Sequence, residues 1–347
     1  MTQAPRMKWI DVVRCFGIYL IYTAHYSHSA GFIYQFAFTH HVPLFFLISG
    51  CMENLSKDRG VLDTAKKTLR NILIPWLFYA VLSVVVDAQL NYRTSELVPS
   101  AMIILRGTVR EQFLAGSVWF LTCIASVRTI FSLMKKLKNR WVILLACFGL
   151  FCVAEFAFPY RFVSHPRLPY NIDSALYYIV FYGIGYVVFP WLCRILEPVN
   201  RRGVILLRLS GLVTGVYTGL LFFGKNLLDF LPGWLGSPSS TDLLCPLIVT
   251  YFYCIVAKQL ENVKVLNRIG QNTLHLCGNE FIMNWLGISA LGTLGLNPNL
   301  TAPFSVCIYT MLTILTAVYL LIPIEKKVLR KLTNILMDPL AKNSFRT

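Results

Sequence analysis

Apolar runs of about twenty residues recur along the whole chain, and no other feature limits its fold so strongly. The first is "WIDVVRCFGIYLIYTAHYSH" (9–28). An α-helix rises 1.5 Å per residue, so a run of about 20 crosses the ~30 Å hydrocarbon core of a bilayer. Lipid offers no partner to backbone N–H and C=O groups, which leaves helices or closed barrels as spanning structures. No series of period-two strands is visible, so the expectation is an all-α integral membrane protein. Composition agrees, with 56% hydrophobic and only 14% charged residues. Ten spans are expected, at 9–28, 41–55, 71–91, 114–134, 141–158, 174–193, 205–224, 241–257, 272–291 and 303–323. Pro43 and Pro75 fall near the starts of the second and third, where a missing N–H costs a helix little. The first run lacks a small-residue cleavage site at its end and is read as a span rather than a signal. These features predict one transmembrane domain over 1–347, a bundle of about ten helices, closed by a basic tail at 324–347.

The formal charge of +16 invites comparison with nucleic-acid binders, but its distribution excludes that class. Of the 32 Lys and Arg, 24 lie on one side of the segmentation. Arg93, Arg106, Arg110, Arg161, Arg167 and Lys225 lie on the other, and Arg14 and Arg128 lie inside spans. Cytoplasmic loops collect positive charge beside anionic lipid, so both termini are expected in the cytoplasm and the partner of the basic loops is the bilayer. The ten cysteines sit in or at the ends of apolar runs without a CxxC pair. They read as small packing residues, not as a disulfide framework or a metal site.

A charge at depth in a helix costs a few kcal/mol, which makes each one a candidate for function. Arg14 lies little more than a turn inside Trp9; it could snorkel to the surface or pair with Asp11 three residues earlier. His25 follows eleven residues later. Eleven residues advance ~16 Å and turn about 1100°, three full turns plus a little, so the two side chains share a helix face. A cation near one mouth and an imidazole deeper in suit an extended, phosphate-bearing ligand. Arginine binds phosphate in bidentate fashion, and a histidine titrating near neutrality serves as a general base. The plainer reading of His25 is a hydrogen-bonded packing residue. His28 stands one turn beyond, and His40 and His41 open the second span. No Cys, Asp or Glu accompanies them at ligand spacing, so no metal is expected. Glu53 near the cytoplasmic end of the second span reads as hydrated.

These residues resemble the acyltransferase 3 family of integral-membrane acyltransferases, in particular its fucose 4-O-acetylase-like branch. Arg14, ten residues and His25 are similar to its first-span hallmark. "HVPLFFLISG" (41–50), "LRNILIPWLFY" (69–79), "VWFLTCI" (118–124) and "NIDSALYYIVFYGIGY" (171–186) resemble its following motifs in order. The resemblance implies about ten helices and transfer of an acyl group, usually acetyl, from cytoplasmic acetyl-CoA to a carbohydrate hydroxyl. The acceptor would be a surface polysaccharide or its lipid-linked precursor, and the location a bacterial inner membrane. Carried over by position, His25 is catalytic and Arg14 and Arg70 contact the coenzyme, while Trp119 and Asp173 become substrate-binding or supporting residues. Acetyl-CoA would be a co-substrate, with no tightly bound cofactor. In "IGQNTLHLCGNEFI" (269–282), many members carry a His near the position of Glu280. Glu280 is therefore read either as a second acid/base group or sugar ligand, or as a carboxylate paired with a neighbour such as Arg128.

In the mechanism these assignments imply, Arg14 holds the phosphates and the thioester lies close to His25, which deprotonates the acceptor or carries the acetyl group itself. Ser49, His28 and His41 are candidates for oxyanion donors. The long connection 92–113 is a candidate to dip toward the membrane over an acceptor glycan. Tyr34, Phe36, Tyr160, Tyr170 and Trp234 could stack on sugars or anchor at the interface. A different class stays open, a transporter of a glycan or small metabolite with His25, Glu280 and Arg128 as relay or cage. Self-association is equally open.

Overall fold

The computed structural model describes residues 6–56, 60–91, 97–108, 110, 116–160, 162–163, 165–230, 238–296 and 300–343. Among them the regular structure is helical throughout: α1 (Lys8–Ala24), α2 (Phe32–Phe38), α3 (His41–Leu55), α4 (Val61–Thr68), α5 (Ile74–Asn91), α6 (Leu97–Arg106), α7 (Trp119–Met134), α8 (Arg140–Ala157), α9 (Ile172–Leu196), α10 (Arg201–Phe222), α11 (Pro238–Gln259), α12 (Lys264–Gly270), α13 (Thr273–Thr293), α14 (Pro303–Thr316) and α15 (Ile322–Asn343). The expectation of an all-α membrane protein is met at that level.

Seven described segments are long and apolar enough to cross a membrane: Val61–Gln89, Gly116–Leu137, Arg140–Ala157, Pro169–Leu196, Arg201–Phe222, Thr241–Gln259 and Pro303–Met337. The α2–α3 pair, bent by 42°, makes an eighth if it is one broken span. The first and ninth expected spans correspond to α1 and α13. Helix α1 has 17 residues and includes Asp11 and Arg14. Helix α13 has 21 but includes His275, Asn279, Glu280 and Asn284.

Two π-helical turns share one cause. Leu69–Leu73 joins α4 to α5, and Ala317–Leu321 joins α14 to α15. Each ends two residues before a proline, Pro75 in "NILIP" and Pro323 in "YLLIP". Proline has no N–H for the carbonyl four residues back and crowds it, so the preceding turn widens while the helix continues. Ordinary caps start other helices: Asn139 Oδ1 accepts from Trp141 N at 2.9 Å, and Asn200 Oδ1 accepts from Gly203 N at 2.7 Å.

The chain groups into two compact units. The first comprises Met1–Ser56, Ile184–Thr273 and Asn297–Ile314. Here α1 packs against α2, α3, α11 and α12, and α10 packs against α11. Close approach depends on small residues: a Cβ on Gly270 would collide with the Asp11 carbonyl, and one on Gly185 with the Leu47 carbonyl. Leu20, Ala24, Phe36, Tyr217, Leu221 and Val249 form an apolar core within this unit. Phe36, expected in an outward connection, is 6% exposed and therefore packs instead of meeting a ligand.

The second unit comprises Lys57–Gly183, Leu274–Leu296 and Leu315–Thr347. Helix α4 packs on α7, and α5 packs on α6 and α15. Two segments differ from the sequence expectation. The connection 92–113 contains α6, which buries Ser100 and Ile104 and exposes Val98, Met102 and Leu105. Exposed apolar side chains at that helical spacing form one stripe, which suits a lipid surface. The basic segment after 323 continues as helix to Asn343. Glu111, Arg93, Arg161 and Trp234 lie outside the described residues.

Candidate active site

In the first unit, α1 carries Arg14 and His25 in continuous helical register. His25 caps the helix with φ −69°, and its backbone N–H still donates to the Ile21 carbonyl at 3.1 Å. Three turns therefore separate the two side chains along one face. Arg14 Nη1 stands 3.9 Å from Asp11 Oδ1, whereas Arg6 Nε approaches Asp11 Oδ2 to 2.8 Å. The closer ion pair is with Arg6, so Asp11 holds Arg14 loosely and its side chain keeps 26% exposure. His25 is half-buried.

The helix does not carry the histidine row further. Ser27 takes φ +51°, and Ser27–Ala30 is a 3₁₀ turn. His28 is therefore exposed on a separate turn, 5.7 Å from the Tyr34 ring, and not one α-turn beyond His25. A left-handed residue costs a non-glycine side chain energy and ends the α-helical register. His40, fully buried, contacts Tyr253 Oη through Nε2 at 3.2 Å and Thr39 Oγ1 through Nδ1 at 3.0 Å. His41 Nδ1 lies 2.6 Å from the Ala37 carbonyl, which only a protonated Nδ1 can satisfy. Ser49 is half-buried on α3, and Glu53 Oε1 accepts from Ser56 Oγ at 3.3 Å.

The remaining candidates belong to the second unit. Arg70 is exposed in the π turn ahead of Pro75. Trp119 opens α7 with the Arg110 guanidinium carbon 3.7 Å above its ring, a cation–π contact. Arg128 keeps a buried Nε without a hydrogen-bond partner. The Glu280 carboxylate, 1% exposed, accepts from the Ser117 hydroxyl.

Asp173 shapes the chain around it. Its Oδ2 accepts from Tyr160 Oη at 3.0 Å, Arg167 N at 2.7 Å and Leu168 N at 3.2 Å, and the residue is fully buried. Partial burial, and then the bond to Asp173, raise the Tyr160 phenol above the ordinary tyrosine value. Nearby, Asn171 Nδ2 donates to the Gly107 carbonyl at 3.1 Å and to Thr122 Oγ1 at 2.6 Å, tying this loop to the start of α7. Asp173→Ala removes the acceptor of the Arg167 and Leu168 N–H groups and of the Tyr160 hydroxyl, and hydrogen bonds to a charged group are each worth about 1.5–3 kcal/mol. The expected result is a thermal midpoint well below wild type, with Asp173→Asn, which retains one oxygen, between the two. Equal midpoints for wild type and the alanine variant would contradict this role.

A further cluster joins positions far apart in sequence. Tyr79 Oη donates to Glu325 Oε2 at 3.0 Å and lies 2.7 Å from His275 Nδ1, while Asn279 Nδ2 donates to Glu325 Oε2 at 2.6 Å. Tyr79 and Asn279 are fully buried, and Glu325 is 5% exposed. Sequence reasoning missed all four residues, and Glu325 was absorbed into the basic tail. The only local signal was a carboxylate directly after an apolar run, in "LIPIEKK". Gly278 lies beneath the Tyr79 ring, where a Cβ would collide with ring atoms. Gly278→Ala is thus expected to displace Tyr79 and destabilise the protein by about 1–3 kcal/mol, read as a lower unfolding midpoint; an unchanged midpoint would show that the ring yields freely.

The family model described as an acyltransferase domain, that of the acyltransferase 3 family, matches residues 7–323. No curated protein and no solved structure matches the chain. The match takes in Arg14 and His25 on α1, both units and nearly all of the helical framework, and on that basis the chain belongs to the acyltransferase 3 family of membrane acyltransferases.

Proposed function

We propose that the protein is an O-acetyltransferase of the fucose 4-O-acetylase-like branch, moving an acetyl group from cytoplasmic acetyl-CoA to a hydroxyl of a cell-surface carbohydrate or its lipid-linked precursor. The observation that carries this reading is the single register of Arg14 and His25 on α1, within a chain of acyltransferase family. Arg14, only loosely engaged by Asp11, keeps donors for a phosphate of the coenzyme. His25 takes the proton of the acceptor hydroxyl as that oxygen attacks the thioester carbonyl. The tetrahedral intermediate then expels the coenzyme thiolate, which recovers the proton from the imidazolium. An acetyl-imidazole intermediate on His25 is the other route to the same products.

Arg70, exposed ahead of Pro75, is a second coenzyme contact in this proposal. Glu280 serves as an acid/base group or sugar ligand, and Trp119 and Asp173 support the acceptor side. The setting is a bacterial inner membrane with both termini in the cytoplasm.

The test is transfer of radiolabelled acetyl from acetyl-CoA to oligosaccharide acceptors by purified protein in detergent, where no compartment exists for transport. Arg14→Gln is expected to raise KM for acetyl-CoA about 10- to 100-fold, the worth of a charge-assisted hydrogen bond. If no acceptor becomes labelled, and sealed vesicles instead take up glycan without acetyl-CoA, the protein is a transporter.

A further inference from the structure

An ionised carboxylate can only accept, so the one hydroxyl hydrogen of Tyr79 is assigned to its 3.0 Å contact with Glu325 Oε2. Toward His275 Nδ1, 2.7 Å away, the same oxygen can act only as acceptor. Nδ1 must then carry the imidazole hydrogen, and in the neutral ring Nε2 is left with its lone pair. Asn279 Nδ2 fixes Glu325 from a second direction at 2.6 Å, so the carboxylate that ends the chain of bonds is itself held in place. His275 is half-buried, and among the described residues its Nε2 has no partner.

Two further observations place this imidazole at a site. Two of the three helices that supply it begin beside basic residues of the same unit: Lys66, Lys67 and Arg70 ahead of Tyr79 on α5, and Lys326, Lys327 and Arg330 after Glu325 on α15. The mutual bonds bring the basic-flanked starts of α5 and α15 to the level of His275 in the second unit. Both π turns also lie close by in sequence, Pro75 four residues before Tyr79 and Pro323 two before Glu325. Such turns recur at functional sites, because the widened backbone re-aims the side chains that follow.

We propose that Glu325 and Tyr79 lock His275 in its Nδ1–H form so that Nε2 accepts a hydrogen bond from an N–H group of the acyl-CoA donor, either a pantetheine amide or the adenine amine. The basic flanks attract the phosphates, and the ring orders the neutral part of the same molecule. The choice of ligand rests on the acetyl-CoA reading above; the locked tautomer does not. Tyr79 and Glu325 are positioning residues here, acting only through His275.

The chain has six histidines, few enough for direct observation by nitrogen NMR of ¹⁵N-histidine-labelled, tag-free protein in nanodiscs, with His275→Gln supplying the assignment. In wild type, His275 is expected to show a protonated Nδ1 and a bare Nε2. In Tyr79→Phe, which keeps the ring and loses the hydroxyl, the preference should pass to the Nε2–H form. A protonated Nε2 in neutral wild type overturns the lock. Coenzyme A added to saturation, monitored in parallel by calorimetry, should move the Nε2 resonance, and His275→Gln should weaken binding by about tenfold. Saturation that leaves Nε2 unmoved overturns the ligand assignment. Failure of coenzyme A to bind at all removes the acetyl-CoA reading and the ligand assignment with it, while the tautomer, read without ligand, is decided separately.

Discussion

His25→Ala is expected to lower acetyl transfer by about 10²- to 10⁴-fold, the range a positioned general acid–base group contributes. The alanine variant should still bind acetyl-CoA with little change, because the phosphate contact is assigned to Arg14, three turns away along α1. That division is the informative part. A structural histidine would, when removed, lower stability and donor affinity together; a catalytic one lowers turnover alone. His25 lies at the end of α1, half-buried, so its truncation leaves the apolar contacts of the helix in place. Isothermal binding of coenzyme A and turnover should be measured on the same preparation. Wild-type turnover in the variant would eliminate His25 from the chemistry.

Gly270→Ala should be the most damaging single-methyl change in the first unit. The added Cβ would run into the backbone carbonyl of Asp11, on the helix that also carries Arg14. A side-chain neighbour could change rotamer, but a helical carbonyl cannot move without its helix, so α1 and α12 must separate. Overpacking costs about 1–3 kcal/mol where side chains can adjust, and more is expected where backbone must shift. The expected result is a sharply reduced yield of monodisperse protein, and a raised KM for acetyl-CoA in what survives. Gly185→Ala, facing the Leu47 carbonyl, should behave similarly. An alanine variant with the wild-type melting midpoint would refute the close approach.

The boundaries of α3 were legible to the residue, at 41–55, because an apolar run follows a clear break at His40, which takes φ −151°. The short helices α2, α4, α6 and α12 were not legible, since each is under two or three turns and none contains a full apolar span. The turn at Ser27 was equally hidden. Nothing in "HYSHSAG" shows that the helix would stop before His28, where Ser27 takes a left-handed backbone and the chain turns so that α2 packs against α1.

The candidate site divides in the same way. Arg14 and His25 could be paired from spacing alone, because both lie on one helix and a helix converts sequence separation into direction. Glu280 was visible as a carboxylate in an apolar run, but its partner Ser117 stands 163 positions away. The Tyr79–His275–Glu325 cluster spans 246 positions and left no periodic trace.

By itself, the sequence determined that this chain is helical and built for a membrane, and that a guanidinium and an imidazole share one face of its first helix. These follow from local physics: apolar length, backbone hydrogen bonding and helical pitch. Only the tertiary structure decided which buried polar groups meet, that Asp11 favours Arg6, that Asp173 gathers the loop before α9, and that Glu325 reaches His275 through Tyr79. A hydrogen bond forms within about 3 Å, and such nearness between residues hundreds of positions apart is set by how helices pack, not by their order along the chain.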